Sequence, residues 1–128
     1  MKILFMSDIH GIVDNLSKLD EIIKKEKIDK LVVLGDLYHT GFNHTDKKVD
    51  VFGVRKFLSK YKNILICMQG NCDSKGDIEK SPFKIIEDVS LINVDGIDIY
   101  ITHGNNYRYQ KNDTFENGVL IYGHEHIP

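Results

Sequence analysis

The chain has 128 residues, 41% hydrophobic and 28% charged, enough for one domain with a buried core and unlike a disordered segment. Basic and acidic residues nearly balance (17 against 19), so no broad cationic field exists to hold a nucleic-acid backbone. No membrane span is indicated, and the opening MKILFMSD is too short in apolar length for a signal-peptide core. Cys67 and Cys72 are the two cysteines; their spacing matches no zinc finger and suits a reducing cytoplasm. KILFM at residues 2–6 reads as a buried parallel strand, apolar without clean alternation. Residues 13–28 follow as an amphipathic helix, with Leu16, Leu19, Ile22 and Ile23 at helical spacing and KLDEIIKKEK supplying its solvated face. KLVVLG is a second buried strand, and residues 37–48 are a polar loop carrying His39 and His44. Residues 49–61 form a second amphipathic helix, weakened by Gly53, and NILICMQ is a third strand with Cys67 in the core. This βαβαβ alternation predicts a doubly wound sheet with right-handed crossovers. Beyond Asp73 the chain turns strand-rich: residues 90–102 are a hairpin about Asp95-Gly96, 103–117 a loop, and GVLIY a last strand.

The ends of these strands carry the functional signal. Five apolar runs end on polar groups: Asp8 and His10, Asp36, Asn71, His103, and the pair His124 and His126. Each has an ordinary explanation, since an Asp caps a turn, Gly-Asn is turn chemistry, and a strand-end His is commonly a surface residue. Together they resist it, because four of the six histidines follow strands directly, beside the strand-terminal aspartates. Open α/β sheets bind ligands beyond the carboxyl ends of their strands, so strands of one direction gather all seven at one edge. Carboxylate, imidazole and amide oxygen suit manganese, iron or zinc, and the near absence of thiols excludes an all-sulfur site. Seven ligands exceed one tetrahedral ion and match two bridged by a carboxylate. A pair of ions roughly 3.5–4 Å apart activates water and clamps the oxygens of an in-line phosphoryl displacement.

SDIHG, GDLYHTG, GNCDS, THG and YGHEH, in this order and spacing, resemble the calcineurin-like metallophosphoesterases, within them the YfcE-type phosphodiesterase branch. The resemblance runs from Ser7 to the end and implies an α/β/β/α sandwich of two sheets, with the second sheet incomplete because the family's usual C-terminal strands are absent. It implies two divalent ions, manganese first, with iron, zinc or nickel as substitutes. Asp8, His10 and His126 would bind one ion, Asn71, His103 and His124 the other, and Asp36 would bridge them with a water or hydroxide. The implied reaction is attack of that hydroxide on a phosphate ester, more readily a diester than a monoester, with Asp36, Asn71 and His103 in the catalytic set.

Two departures concern the chemistry. Cys72 stands where many relatives carry the His of GNHD or GNHE, and a neutral thiol is a poor proton donor; it is either a direct participant or a small turn residue. Asn105 replaces the last His of THGH and alters a contact behind the ligands. His39 is a substrate contact by the resemblance or a surface residue on its own, while His44 and Arg108 read as solvent-exposed. The expected whole is one domain over residues 1–128, cytoplasmic, acting on a phosphate ester and forming no nucleic-acid complex. Association as a homo-oligomer is expected from strands left without cover. The rivals are a non-catalytic interaction module on the same fold and an inactive truncated fragment.

Overall fold

The computed structural model describes residues 1–39, 48–106 and 118–127. A parallel sheet is built from β1 (Ile3–Met6), β2 (Lys30–Val33), β3 (Leu65–Met68) and β4 (Ile85–Ile86), adjacent in that order. Helices α1 (Leu16–Lys25) and α2 (Val51–Lys60) join the first three strands, and the short α3 (Lys75–Lys80) precedes β4. A second sheet has β5 (Val89–Val94) antiparallel to β6 (Ile97–Thr102), and β7 (Val119–Tyr122) parallel to β6. Asp95 and Gly96 both take positive φ at the β5–β6 turn, the requirement that this dipeptide meets.

The strand order corrects the doubly wound reading. Order β1-β2-β3-β4 never reverses, so right-handed crossovers place α1 and α2 on one face and leave the other free. Leu4, Met6, Leu31, Val33, Leu65 and Cys67 pack on the helix side with Leu16, Ile23, Val54 and Leu58. Their alternates Phe5, Val32, Leu34, Ile66 and Met68 pack against Ile92, Ile99, Ile101 and Ile121 of the second sheet. Two-sided burial is why these strands read as continuous apolar runs. The mixed α/β fold with two stacked sheets is therefore present as the family pattern implied.

Both helices are shorter than predicted. α1 opens at its N-cap Asn15, which makes no side-chain cap bond, and Asp14 lies in the turn before it. Asp50 caps α2 by accepting from the Gly53 N–H at 2.9 Å, and a Cβ on Gly53 would stand 2.6 Å from that carboxylate. The glycine that weakens α2 by propensity thus gives its cap room. Leu37 and Tyr38, predicted within a polar loop, are fully buried in the helix-side core. The sequence reading omitted α3 and β4: six residues with one apolar side chain and a two-residue strand show no period. Among the described residues no helix is long and apolar enough to cross a membrane.

Asp20 ties α1 to the end of α2, accepting from Lys24 Nζ (2.7 Å), Lys60 Nζ (2.5 Å) and the Tyr61 hydroxyl. Hydrogen bonds from Lys24, Lys60 and Tyr61 hold its carboxyl well below the ordinary value of 3.8. Burial, then the Asp20 charge, pushes Tyr61 up to about 12. A carboxyl depressed in the folded state stabilises above its unfolded pKa, and that contribution fades as pH falls through 3.8 toward the folded value. Asp20→Asn is expected to lower the thermal midpoint at pH 7, with the gap from wild type closing as the pH falls below 3.8. Melting curves across that range check it; a constant gap would show that the charge is not the source.

Candidate metal centre

Each site residue sits where a strand has just ended and the backbone bends sharply. Loops after β1 and β2 run side by side, with Asp8 N–H on Gly35 O (3.0 Å), His10 N–H on Asp36 O (2.9 Å) and Gly11 N–H on Leu37 O (2.9 Å). From the second sheet, Gly123 presses on the β1 loop so closely that a Cβ there would lie 2.0 Å from Ser7 Oγ. The His124 N–H then donates to Asp8 Oδ2 at 2.9 Å, which draws the end of β7 onto the end of β1. Asp8, His10, Asp36, His124 and His126 all have φ between 50° and 71°. Left-handed non-glycine residues cost energy and gather at functional sites. Strain at five of seven predicted positions is itself a signal.

All seven predicted residues converge. Asp8 Oδ1 lies 3.2 Å from His126 Nε2 and 3.6 Å from His10 Nε2, and those two nitrogens are 3.1 Å apart. On the other side, His103 Nε2 lies 2.8 Å from Asn71 Oδ1, 3.1 Å from His124 Nδ1 and 3.1 Å from Asp36 Oδ2. Asp36 Oδ2 also lies 3.7 Å from His10 Nε2 and so stands between the two groups. Asp8 with His10 and His126, and Asp36 with His103 and His124, each bring ligand atoms within 4.8 Å of one another. Cys72 Sγ forms a third such group with His10 and Asp36.

This donor set fits divalent cations on two counts. Asp8 Oδ1 is buried without a hydrogen-bond partner, which in a folded protein calls for an ion or water. His103 donates from Nδ1 to Leu34 O (2.7 Å) and His10 from Nδ1 to His39 O (2.5 Å), an arrangement that turns each Nε2 lone pair inward. At His103 that lone pair faces an amide oxygen, a carboxylate and a second imidazole. One proton can bridge to only one of them, whereas a cation serves all.

Burial raises the Asp8 carboxyl, yet the nearby His10 imidazole, with hydrogen bonds from Ser7 and the His124 N–H, holds it below the usual range. Burial likewise opposes ionisation of Asp36 and is outweighed by His103 and the Cys72 N–H (2.8 Å to Oδ1). His10 is raised by the neighbouring Asp8 carboxylate. Burial lowers His103, but its bond to Asp36, its bond to the Leu34 carbonyl and the charges of Asp36 and Asp8 together raise it. Two carboxylates thus attract positive charge to the histidines, as protons when no metal competes. Burial, then the Asp36 charge, raises Cys72 and keeps its thiol neutral. Cys67 is fully buried in the core.

The His39 side chain, half exposed, bonds Asp77 Oδ2 of α3 at 2.5 Å, and its carbonyl supports His10. Asn105 is exposed and joins Gln69, Glu87, Asp88 and Asn106 around a polar cleft of about 500 Å³ beside Asn71. His44 and Arg108 lie outside the described residues. Two acids escaped the sequence reading. Asp77 follows Ser74 in a Ser-x-x-Asp cap pattern that marks a helix start, and Ser74 Oγ accepts the Asp77 N–H at 3.2 Å. Asp73, part of GNCDS at the acid position of GNHD or GNHE but given no role, is buried two residues past Asn71.

Comparison with known proteins agrees with this fold. A model of the calcineurin-like phosphoesterase superfamily domain matches residues 1–128. The chain is 30% identical over 130 residues to phosphodiesterase YfcE of Escherichia coli strain K12, covering 100% of this chain and 71% of that protein. It is 29% identical over 136 residues to phosphodiesterase MJ0936 of Methanocaldococcus jannaschii, covering 98% and 74%. The solved structure of YfcE, a phosphoesterase from E. coli, superposes with a TM-score of 0.79 at 26% identity. That superposition covers 85% of this chain and 60% of the solved one, less than two thirds of its length. With the family model matching residues 1–128, two stacked sheets and converging strand-end polar residues, this chain belongs to the calcineurin-like phosphoesterase superfamily.

Proposed function

We propose that the chain is a divalent-metal-dependent phosphodiesterase with its reaction centre at Asp36. The observation that carries the reading is the pair of candidate ligand groups meeting at Asp36 Oδ2, with the buried Asp8 Oδ1, which accepts no hydrogen bond, beside them. Relatives named as phosphodiesterases favour the diester over the monoester. Asp8, His10 and His126 would hold one cation, Asn71, His103 and His124 the other, with Asp36 between. Two such ions, manganese by the family pattern, would supply a lowered pKa for water and positive charge to offset that of a phosphate. The chain's own part is to fix the groups around them. Cys72 N–H anchors one oxygen of Asp36 so that the other faces the cluster, and the Leu34 and His39 carbonyls orient His103 and His10. The polar cleft beside Asn71 offers the departing alcohol amide and carboxylate partners.

The same reading takes residues 1–128 as one domain in the cytoplasm that associates with copies of itself. Exposed Leu91, Ile97 and Val119 on the second sheet support the association. No observation favours the non-catalytic module. Metal analysis and hydrolysis of a diaryl phosphodiester on the same purified sample form the deciding experiment. Two bound divalent ions with turnover support the enzyme. A folded protein that binds no metal points to the module, and bound metal without turnover points to an inert fragment.

Asp36→Asn removes the charge between the two groups and is expected to cut turnover by roughly a hundredfold or more and to loosen both ions. Normal turnover with two tightly held ions would refute the bridging role. Because His10 and His103 are raised above 6.5, protons compete with cations there. Manganese affinity is expected to rise from pH 6 to pH 8 with proton release, as titration calorimetry in buffers of different ionisation enthalpy would show. A neutral thiol at Cys72 is poorly matched to protonating an alkoxide, so rates should fall steeply from aryl to alkyl leaving groups. A flat dependence with chemistry rate-limiting would require another acid, with His39 the first candidate.

A further inference from the structure

The chain folds back after Asn71 and buries a carboxylate at Asp73, only 7% exposed, in the gap between the β2 and β3 loops. A buried carboxylate needs compensation, and this one meets main-chain donors. Its Oδ1 accepts the Leu37 N–H at 2.7 Å, and its Oδ2 accepts those of Gly70 at 2.8 Å and Asp36 at 3.0 Å. Its own N–H returns to Gly70 O at 3.2 Å and closes the turn that carries Asn71. Asp36 stands in the left-handed region, with φ of 54°. Successive N–H groups about such a residue form a concave anion receptor, and here the chain supplies the anion itself. Gly70 is packed so tightly on this arrangement that a Cβ would lie 2.2 Å from the Asp36 N. Asp36 is therefore held at its main chain by Asp73 and at its side chain by the Cys72 N–H, while Asn71 lies between two residues of the same clamp.

We propose that Asp73 is a positioning residue, the internal anion that sets the separation of Asp36 and Asn71 and so the affinity of the ion they share with His103 and His124. The inference rests on the metal-centre reading above and adds to it a residue that touches neither metal nor substrate. Asp73→Asn tests it, because the amide keeps the shape but places an NH2 against at least one N–H that already donates. The probe is Zn²⁺, which is diamagnetic and suits calorimetry and NMR. Wild type is expected to bind two Zn²⁺ per chain. Asp73→Asn, still folded by circular dichroism, is expected to keep the Asp8–His10–His126 ion and to hold the other about tenfold or more weaker. With a diaryl phosphodiester its kcat should fall while KM changes little. A merely structural role is separated by Leu58→Ala, a core truncation in α2 at a residue that supplies no ligand atom and no hydrogen bond to Asp73, which is expected to lower the thermal midpoint and leave both ions in place.

Equal Zn²⁺ binding by Asp73→Asn and wild type would overturn the proposal while leaving the metal-centre reading intact. Equal weakening in Leu58→Ala would overturn it as well. Failure of wild type to bind Zn²⁺ would remove the metal-centre reading and the proposal together. Should Asp73→Asn not fold, amide exchange in the wild type decides: Asp36, Leu37 and Gly70 should be protected and slow together when Zn²⁺ is added. Exchange at open-loop rates, or no response to Zn²⁺, would overturn the clamp.

Discussion

The Asp36 carboxylate is buried to 2% exposure at the end of a central strand, and the surrounding architecture meets the conditions that this burial imposes. A carboxylate out of water must be hydrogen-bonded or faced by positive charge. One oxygen has the Cys72 N–H, and the other has imidazoles from both sheets at 3.1 and 3.7 Å. Neighbouring strands of a parallel sheet deliver the first partner, since β2 and β3 end side by side. The imidazole of His103 arrives only because a second sheet is stacked against the first.

That stacking links core packing to chemistry. Val32, Leu34 and Met68 meet Ile99, Ile101 and Ile121 between the sheets, and at the edge of this contact His103 donates to the Leu34 carbonyl. The bond crosses from one sheet to the other within a packed interior, so a shift of one sheet moves an imidazole relative to Asp36. Interiors at crystal-like density resist such shifts, which is how an apolar interface holds polar atoms to fractions of an ångström. Left-handed backbone at five site residues is the cost of aiming them inward, sustained by the ladder between the β1 and β2 loops and the His124–Asp8 bond.

The fold was legible in the sequence where burial leaves a repeat and illegible where it does not. Strands β1, β2, β3 and β7 and the hairpin β5–β6 show as apolar runs, and the Asp95-Gly96 turn shows by its conformational demand. Helix α3 and strand β4 are too short for either signal. The βαβαβ alternation fixed the crossovers but not the face each helix takes, because that depends on strand order, a spatial property. Leu37 and Tyr38 resembled loop residues because their neighbours in sequence are polar; the core that buries them includes Leu16, Ile23, Val54, Leu58 and Cys67 of α1, α2 and β3.

For the site, the sequence alone determined which residues stand at strand ends: Asp8, His10, Asp36, Asn71, His103, His124 and His126. Residue type and strand termination are local properties, and parallel pairing carries them to a common edge. Tertiary structure decided the rest. Meeting of the two groups at one oxygen of Asp36, the backbone carbonyls that orient His10 and His103, and the enclosure of Asp73 among three N–H groups depend on loops far apart in sequence. The GNCDS motif contains Asp73 but says nothing of its contacts, because the amide groups it meets are carried by every residue type except proline.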